Sequence, residues 1–142
     1  MRSAAIARLG ILLIGSLAAS GCFLVAAGGA GAGGGIYFTS RGAESVVSAP
    51  GAEAQSAAER ALEQFQIRRT ELKIDEEAGT RELKGKTADD EIDVTISLSR
   101  QAEGVTKVSV TARKNLVKWD KDFAKSLLAR IVELSGDEGS GL

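Results

Sequence analysis

The sequence contains no histidine, a single cysteine and few aromatic residues, which make up 4% of its 142 positions. Without histidine, the chain lacks the side chain that most often acts as a general base or metal ligand near neutral pH. A lone cysteine leaves no intramolecular disulfide, so packing alone must hold the folded part together. With so few aromatic rings, the core must be built from valine, isoleucine and leucine, and we expect a modest stability.

Length and charge set two further limits. A chain of 142 residues has room for one compact domain once a leader is removed. Its 18 basic and 19 acidic residues give a net charge of -1, and loss of Arg2 and Arg8 with the leader would leave 16 basic residues and a charge of -3. We therefore expect no nucleic-acid partner.

The beginning of the chain follows the pattern of a secretory signal peptide. Arg2 and Arg8 make the start positive, an apolar run covers residues 9–17, and small residues lead up to Cys22. Such a leader is removed and takes no part in the fold of the mature protein. The sequence therefore predicts a signal peptide over residues 1–21.

The residues before the cysteine, Leu-Ala-Ala-Ser-Gly, resemble the lipobox of bacterial lipoproteins. Ala19, Ser20 and Gly21 occupy the three places before Cys22, and the usual leucine is displaced to Leu17. The resemblance implies that Cys22 becomes the first mature residue and carries a thioether-linked diacylglycerol, usually with an amide-linked acyl chain. Because each buried methylene contributes about 0.8 kcal/mol, two or three chains hold a protein on a membrane where one holds it only marginally.

The residue after the lipidated cysteine influences whether a bacterial lipoprotein stays in the inner membrane or is moved to the outer membrane. An aspartate there is associated with inner-membrane retention in Gram-negative bacteria, whereas this chain has Phe23. The resemblance therefore implies an outer-membrane lipoprotein that faces the periplasm, with the membrane as a partner through its lipid anchor.

Two alternatives to lipidation stay open. The apolar stretch over residues 4–27 is long enough to remain uncleaved as a single-pass inner-membrane helix, because about 20 apolar residues span a bilayer. A plain secreted protein is the other alternative.

After Cys22, residues 22–35 are predicted to form a Gly/Ala-rich flexible spacer, although glycines four residues apart, such as Gly29 and Gly33, also suit close packing of membrane helices.

The folded part is predicted to cover residues 36–135. Residues 39–49 alternate loosely and indicate a first strand, bulged at Gly42. After Pro50, apolar residues recur every three or four positions, which predicts an amphipathic helix with a slim contact face. Its predicted buried positions are Ala54, Ala57, Ala58, Ala61, Leu62 and Phe65.

Four further segments alternate apolar and polar residues, which is typical of half-buried strands joined by turns. They cover residues 70–75, 81–87, 92–99 and 107–113. In the second of them, Leu83 and Gly85 are predicted to face inward.

A last helix is predicted from Asp120, as its N-cap, to near Gly136, followed by a disordered tail over residues 136–142. We therefore predict an α+β fold: an antiparallel β-meander sheet of about four strands with two amphipathic helices packed on one face, in the order β-α-β-β-β-α.

Several short pieces stand out along the folded part. They lie at Gly35 to Tyr37, Gly42, Pro50, Ala57 to Leu62, Leu83 to Lys86, Ala88 to Asp90, Val94 to Leu98 and Thr106 to Val110. With them the chain resembles, from about residue 34 to 131, a family of small bacterial lipoproteins known only as a domain of unknown function. Asp90 departs from the glycine of the family's turn. The resemblance implies a fold and a location but no activity.

Two acidic clusters, at residues 75–77 and 89–93, are candidates for ion binding. Carboxylate oxygens suit calcium, but the second cluster lacks the glycine and the distal glutamate of a calcium loop. Aspartate is also favoured in solvated hairpin turns. We predict turns and no metal site.

The one tryptophan has basic neighbours. Around Trp119 lie Arg113, Lys114, Lys118, Lys121 and Lys125. Such an arrangement suits anionic lipid headgroups or an acidic partner, with the indole at the interface. A single tryptophan beside a helix start also serves as a packing cap over a sheet edge, so both interpretations stay open.

No residue is predicted to be catalytic. Without histidine, a hydroxyl nucleophile would need lysine or a carboxylate as its base. The folded part has no Gly-x-Ser-x-Gly, Ser-x-x-Lys or phosphate-binding glycine loop. We expect neither an enzyme nor a cofactor.

Two classes of function remain. The first is a non-enzymatic, membrane-anchored envelope lipoprotein whose domain binds a protein or another envelope component. The second is a domain that carries an apolar ligand between sheet and helices. A cavity lined by Leu62, Phe65, Leu98 and Leu127 would favour the carrier, and a tightly packed core with an exposed Trp119 would favour docking. The oligomeric state is not predicted.

Overall fold

The computed structural model describes residues 35–140. The predicted signal peptide, Cys22 and nearly all of the predicted spacer lie outside the described residues. The described elements are β1 Tyr37–Phe38, β2 Gly42–Val47, α1 Gly51–Gln64, β3 Ile67–Asp75, β4 Thr80–Thr87, β5 Asp93–Ala102, β6 Val105–Arg113 and α2 Lys121–Ser140.

The strands form one antiparallel sheet in the order β1-β2-β6-β5-β4-β3. Helix α1 carries the chain from β2 to the opposite edge at β3, and the meander from β3 to β6 brings it back beside β2. Because Gly42 pairs with Thr111, the turn between β1 and β2 lies near the end of β6. Two distant parts of the chain therefore meet at this end of the sheet.

The α+β class and the antiparallel sheet are confirmed, whereas the strand number and the element order are wrong. The described residues form six strands in the order β-β-α-β-β-β-β-α, not about four in the order β-α-β-β-β-α. One reason is that β1 has two residues, too few for an alternating pattern. The predicted first strand over residues 39–49 is also shorter in the structure, where it corresponds to β2 alone, because residues 39–42 form a turn in which the Thr39 N–H donates to the Gly42 carbonyl at 2.9 Å.

The bulge predicted at Gly42 is absent, since the β2–β6 pairing runs without a register shift from Gly42 to Val47. The described sheet instead shifts register between Arg69 and Glu71 on β3 and between Arg100 and Ala102 on β5. Both shifts are irregularities of the meander, at positions where the sequence pattern predicted none.

Helices α1 and α2 pack on the same face of the sheet, and the apolar residues of that face form the core. The predicted inward positions Leu83 and Gly85 are buried, as are Val94, Ile96 and Leu98 on β5. The predicted contact face of α1 is confirmed by its buried residues Ala54, Ala57, Ala58, Ala61 and Leu62. Small side chains on this face let the helix lie close to the sheet.

The predicted cap of the last helix is confirmed, because Asp120 Oδ1 accepts a hydrogen bond from the Phe123 backbone N–H at 2.9 Å. Helix α2 then continues to Ser140 instead of ending near Gly136. A glycine inside a helix costs about 1 kcal/mol but does not end it when the rest of the helix packs well. The helix thus extends into the stretch predicted as a tail, residues 136–142.

The opposite face of the sheet carries alternating polar residues and is not covered by either helix. Serines and threonines line β5 and β6, and lysines and carboxylates pair between neighbouring strands. One example is Lys84 Nζ, which lies 3.1 Å from Glu71 Oε2 on β3 and also 3.3 Å from Glu82 Oε1 on its own strand. We call this the open face, because it presents the sheet's polar side chains to solvent.

Candidate interaction surface around Trp119

The candidate surface begins where β6 ends at Arg113. The chain leaves the sheet over residues 114–118, which we call the basic loop, and returns at Trp119, which forms an antiparallel bridge with Arg113. The Asp120 backbone N–H then donates a hydrogen bond to the Ala112 carbonyl at 2.8 Å. This pairing holds Trp119 half-buried beside Arg113, on the open face of the sheet.

Two guanidinium groups lie over the indole ring. The Cζ atom of Arg41 is 5.4 Å from the ring centroid of Trp119, and that of Arg113 is 5.9 Å away. Both distances are within the range of cation–π attraction. Arg41 belongs to the turn between β1 and β2, in which the Gly42 backbone N–H donates to Thr39 Oγ1 at 3.0 Å.

The basic loop is a closed turn with an apolar tip. The Lys114 backbone N–H donates to the Lys118 carbonyl at 2.9 Å. The side-chain oxygen of Asn115 accepts hydrogen bonds from the backbone N–H groups of Val117 and Lys118, at 3.0 and 2.9 Å. Leu116 and Val117 point outward and are each 88% exposed, more than any other large apolar side chain in the described residues.

The structure brings the predicted basic residues together around this loop. Lys114 and Lys118 are exposed at its two ends, and Lys121 is exposed at the start of α2. Lys125, one turn along α2, places its Nζ 5.1 Å from the ring centroid of Phe38. In the described part of the chain, the one ion pair of these lysines is a long one, 3.9 Å between Lys114 Nζ and Glu91 Oε2.

Three residues of this surface, Arg41, Leu116 and Val117, are not predicted from the sequence. Arg41 reaches Trp119 only because the strand pairing brings two distant turns together, which no local pattern signals. Leu116 and Val117 are adjacent apolar residues, and their spacing matches neither the alternating pattern of a strand nor the three-or-four-residue pattern of a helix. The available signal was an apolar pair enclosed by Lys114 and Lys118 directly after a strand.

A shallow depression adjoins the tryptophan on the open face. Its volume is about 390 Å³, and Arg113, Trp119, Thr111, Lys84 and Lys86 are among the residues that line it. The lining also includes Asp93, which pairs with Lys86 at 3.3 Å, so the depression carries charges of both signs.

The acidic turn at residues 89–93 is engaged in local hydrogen bonds. Asp89 Oδ1 accepts hydrogen bonds from Thr87 Oγ1 and from the Glu91 backbone N–H. These bonds lower the pKa of the Asp89 carboxyl, and the bond from Thr87 contributes most. Asp90 pairs with Arg68 at 3.2 Å. Within residues 35–140 there is no group of three or more histidine, cysteine, aspartate or glutamate side chains placed to hold a metal ion.

The residues expected to line a carrier cavity are packed against protein. Leu62, Leu98 and Leu127 are at most 2% exposed and belong to one core cluster. The ring of Phe65 packs edge-on against Phe123, with centroids 5.9 Å apart. The residues predicted to line the carrier cavity therefore belong to the packed core, whereas Trp119 is half-buried and not exposed as the docking alternative predicts.

Neither helix in the described part of the chain is both long enough and apolar enough to cross a lipid bilayer.

The protein is a small α+β domain in which an indole ring and two exposed apolar side chains lie among cations at one end of the sheet. The chain belongs to the family described as proteins of unknown function DUF3568, whose model matches residues 5–132. This match confirms the resemblance to an uncharacterised family. No curated protein matches the chain.

Proposed function

We propose that this protein is a non-enzymatic envelope lipoprotein, anchored through Cys22, that presents its α+β domain as a docking module for an envelope component. The observation that carries the docking role is the basic loop, where Leu116 and Val117 are each 88% exposed beside Trp119. Exposed apolar side chains grouped with an aromatic ring and cations are typical of contact surfaces.

The anchor is supported by the sequence around the cysteine. A positive start, an apolar run and the small residues Ala19 to Gly21 end at Cys22, the only cysteine of the chain. Lipid chains on that sulfur and on the new amino terminus would hold the domain at a membrane surface, because their buried methylenes add up. Phe23 at the next position supports the periplasmic face of the outer membrane.

A non-enzymatic role is supported by the chemistry of the titratable groups. The chain has no histidine. The pKa of Glu71 is lowered mainly by its hydrogen bond with Lys73 and that of Asp89 mainly by its bond with Thr87, both at the exposed surface. These shifts arise from local pairs and not from a cleft where a general acid or base would be tuned.

The competing account of the anchor is an uncleaved single-pass helix over residues 4–27, which the apolar character of that stretch supports. Metabolic labelling with a clickable fatty acid separates the two accounts. We expect label on the wild type and none on Cys22→Ser, because the acceptor sulfur is gone. Ser20→Ala, which keeps the cysteine, is the matched control and should retain the label. An unlabelled wild type, or equal label on Cys22→Ser, would contradict lipidation at Cys22.

A further inference from the structure

We propose that the tip of the basic loop, Leu116 and Val117, enters the interfacial region of an anionic lipid bilayer while the flanking cations bind lipid phosphates. The inference rests on the proposed function, because the anchor at Cys22 is what keeps the domain near such a surface. It assigns to the docking surface a partner of stated chemistry, an anionic lipid surface.

The first argument is exposure. Leu116 and Val117 are 88% exposed, whereas Phe38, another exposed apolar residue, is 54% exposed and lies under Lys125. The two tip residues are adjacent and project from a turn, so they form a convex apolar point. A fluid surface accommodates a convex point without a preformed pocket, and burial of these side chains there is favourable.

The second argument is the state of the loop's backbone. A polar backbone group that enters an apolar region without a hydrogen-bond partner is strongly unfavourable. In the basic loop, Asn115 Oδ1 already satisfies the N–H groups of Val117 and Lys118, and the Lys118 carbonyl accepts from Lys114. Two N–H groups and one carbonyl of the loop are therefore already hydrogen-bonded, which lowers the cost of moving the loop into a less polar environment.

The third argument is the ring of charge around the tip. Lys114 and Lys118 flank it, Lys121 lies on α2 directly behind it, and Arg41 and Arg113 cover the indole of Trp119. Lysine and arginine at this position attract anionic headgroups, and an indole is suited to the depth between headgroup and acyl chain. The nearby acidic groups are Glu91, at 3.9 Å from Lys114, Asp93, which lies opposite Arg113 on β5 and pairs with Lys86, and Asp120 and Asp122 around the start of α2.

The segment between Cys22 and the folded domain is long enough for the basic loop to reach the membrane. The thirteen peptide steps from Cys22 to Gly35 span about 45 Å when extended. Helix α2, with 20 residues, is about 30 Å long. A tether longer than the longest element allows the domain to turn the basic loop toward the membrane that holds the anchor.

Trp119 is the only tryptophan of the chain and reports directly on the loop. Full-length protein is incorporated into vesicles of phosphatidylcholine alone or mixed with phosphatidylglycerol, each with a brominated lipid as quencher. We expect quenching of Trp119 to be roughly twofold or more greater in the anionic vesicles, because the cations draw the loop onto the surface.

Two pairs of variants test the mechanism. Leu116→Asp with Val117→Asp should abolish the extra quenching, while Ile74→Asp, at an exposed apolar site on edge strand β3, should leave it unchanged. Lys114→Gln with Lys118→Gln should remove the dependence on phosphatidylglycerol. The control Lys73→Gln with Lys107→Gln removes the same charge elsewhere on the sheet and should preserve that dependence.

Equal quenching of the wild type in both vesicles, or unchanged quenching of the Leu116→Asp, Val117→Asp variant, overturns the proposal. Quenching in neither vesicle, together with lysine-dependent binding of an acidic protein to the loop, also overturns it and identifies a protein partner instead. Co-sedimentation with vesicles reports on the anchor, whereas quenching of Trp119 reports on the loop. Failure of the anchor and failure of the loop contact are therefore distinguishable.

Discussion

Gly42 lies at the start of β2, directly against the backbone of β6. A Cβ atom at this position would lie 2.0 Å from the Val110 carbonyl oxygen and 3.0 Å from the Thr111 Cα atom. No side chain can be accommodated there unless the two strands separate. The glycine thus permits the close pairing that also brings Arg41 to Trp119.

We predict that Gly42→Ala lowers the free energy of unfolding by about 2 kcal/mol or more, because the methyl group collides with a paired strand. Equilibrium denaturant unfolding measures the loss. Gly104→Asn is the control, since a Cβ there meets no atom within 4 Å and asparagine tolerates its positive φ. Similar losses for the two variants would contradict the close-approach argument.

Some residues of the candidate surface can be predicted from their neighbours along the chain, and others cannot. The basic residues beside Trp119 are visible as a cluster, because they are neighbours along the chain. The contribution of Arg41 depends on the pairing of β2 with β6, which sequence alone does not determine. The exposure of Leu116 and Val117 depends on the turn that Asn115 closes. The lysines on either side mark this apolar pair in the sequence, but they do not determine which way its side chains point.

At the scale of elements, the pairing of β3 with β4 is reinforced by charge. Glu71 lies between two lysines, with its Oε1 3.1 Å from Lys73 Nζ and its Oε2 3.1 Å from Lys84 Nζ. These hydrogen-bonded cations lower the pKa of the Glu71 carboxyl, and Glu71 in turn raises the pKa of Lys84. The ionised form of Glu71 therefore stabilises the folded state.

Because the folded-state pKa of Glu71 is lowered, its contribution is fully present above its unfolded pKa, about 4.3, and is lost as the pH falls through the folded value. We predict that Glu71→Gln reduces the loss of stability between pH about 5 and pH about 3, as measured by denaturant unfolding at each pH. Added salt should reduce the wild-type loss as well, since the group is exposed. An identical pH dependence in the wild type and Glu71→Gln would contradict this assignment.

The elements that sequence predicts well are those with long, regular patterns. Strand β5 alternates strictly at Val94, Ile96 and Leu98, and its burial follows that pattern. The two-residue β1 is defined by its pairing with β2 and not by its own residues, so no local pattern reveals it. The end of α2 was also misplaced, because Gly136 weakens a helix locally while the packing of the preceding turns sustains it.

At the scale of the whole molecule, charge and apolar surface are unevenly distributed. The chain carries a net charge of -1, yet cations from three separate segments collect around Trp119. Overall charge would repel an anionic surface weakly, whereas this end of the domain attracts one at short range. We expect the domain to meet a membrane in one orientation, with the basic loop first.

Intact-mass spectrometry of the protein extracted from membranes shows whether a lipid-bearing Cys22 tethers this domain. We predict the mass of residues 22–142 increased by a diacylglyceryl group and an acyl chain, because the leader is removed and the cysteine is modified. A mass equal to unmodified Met1 to Leu142 would contradict the account.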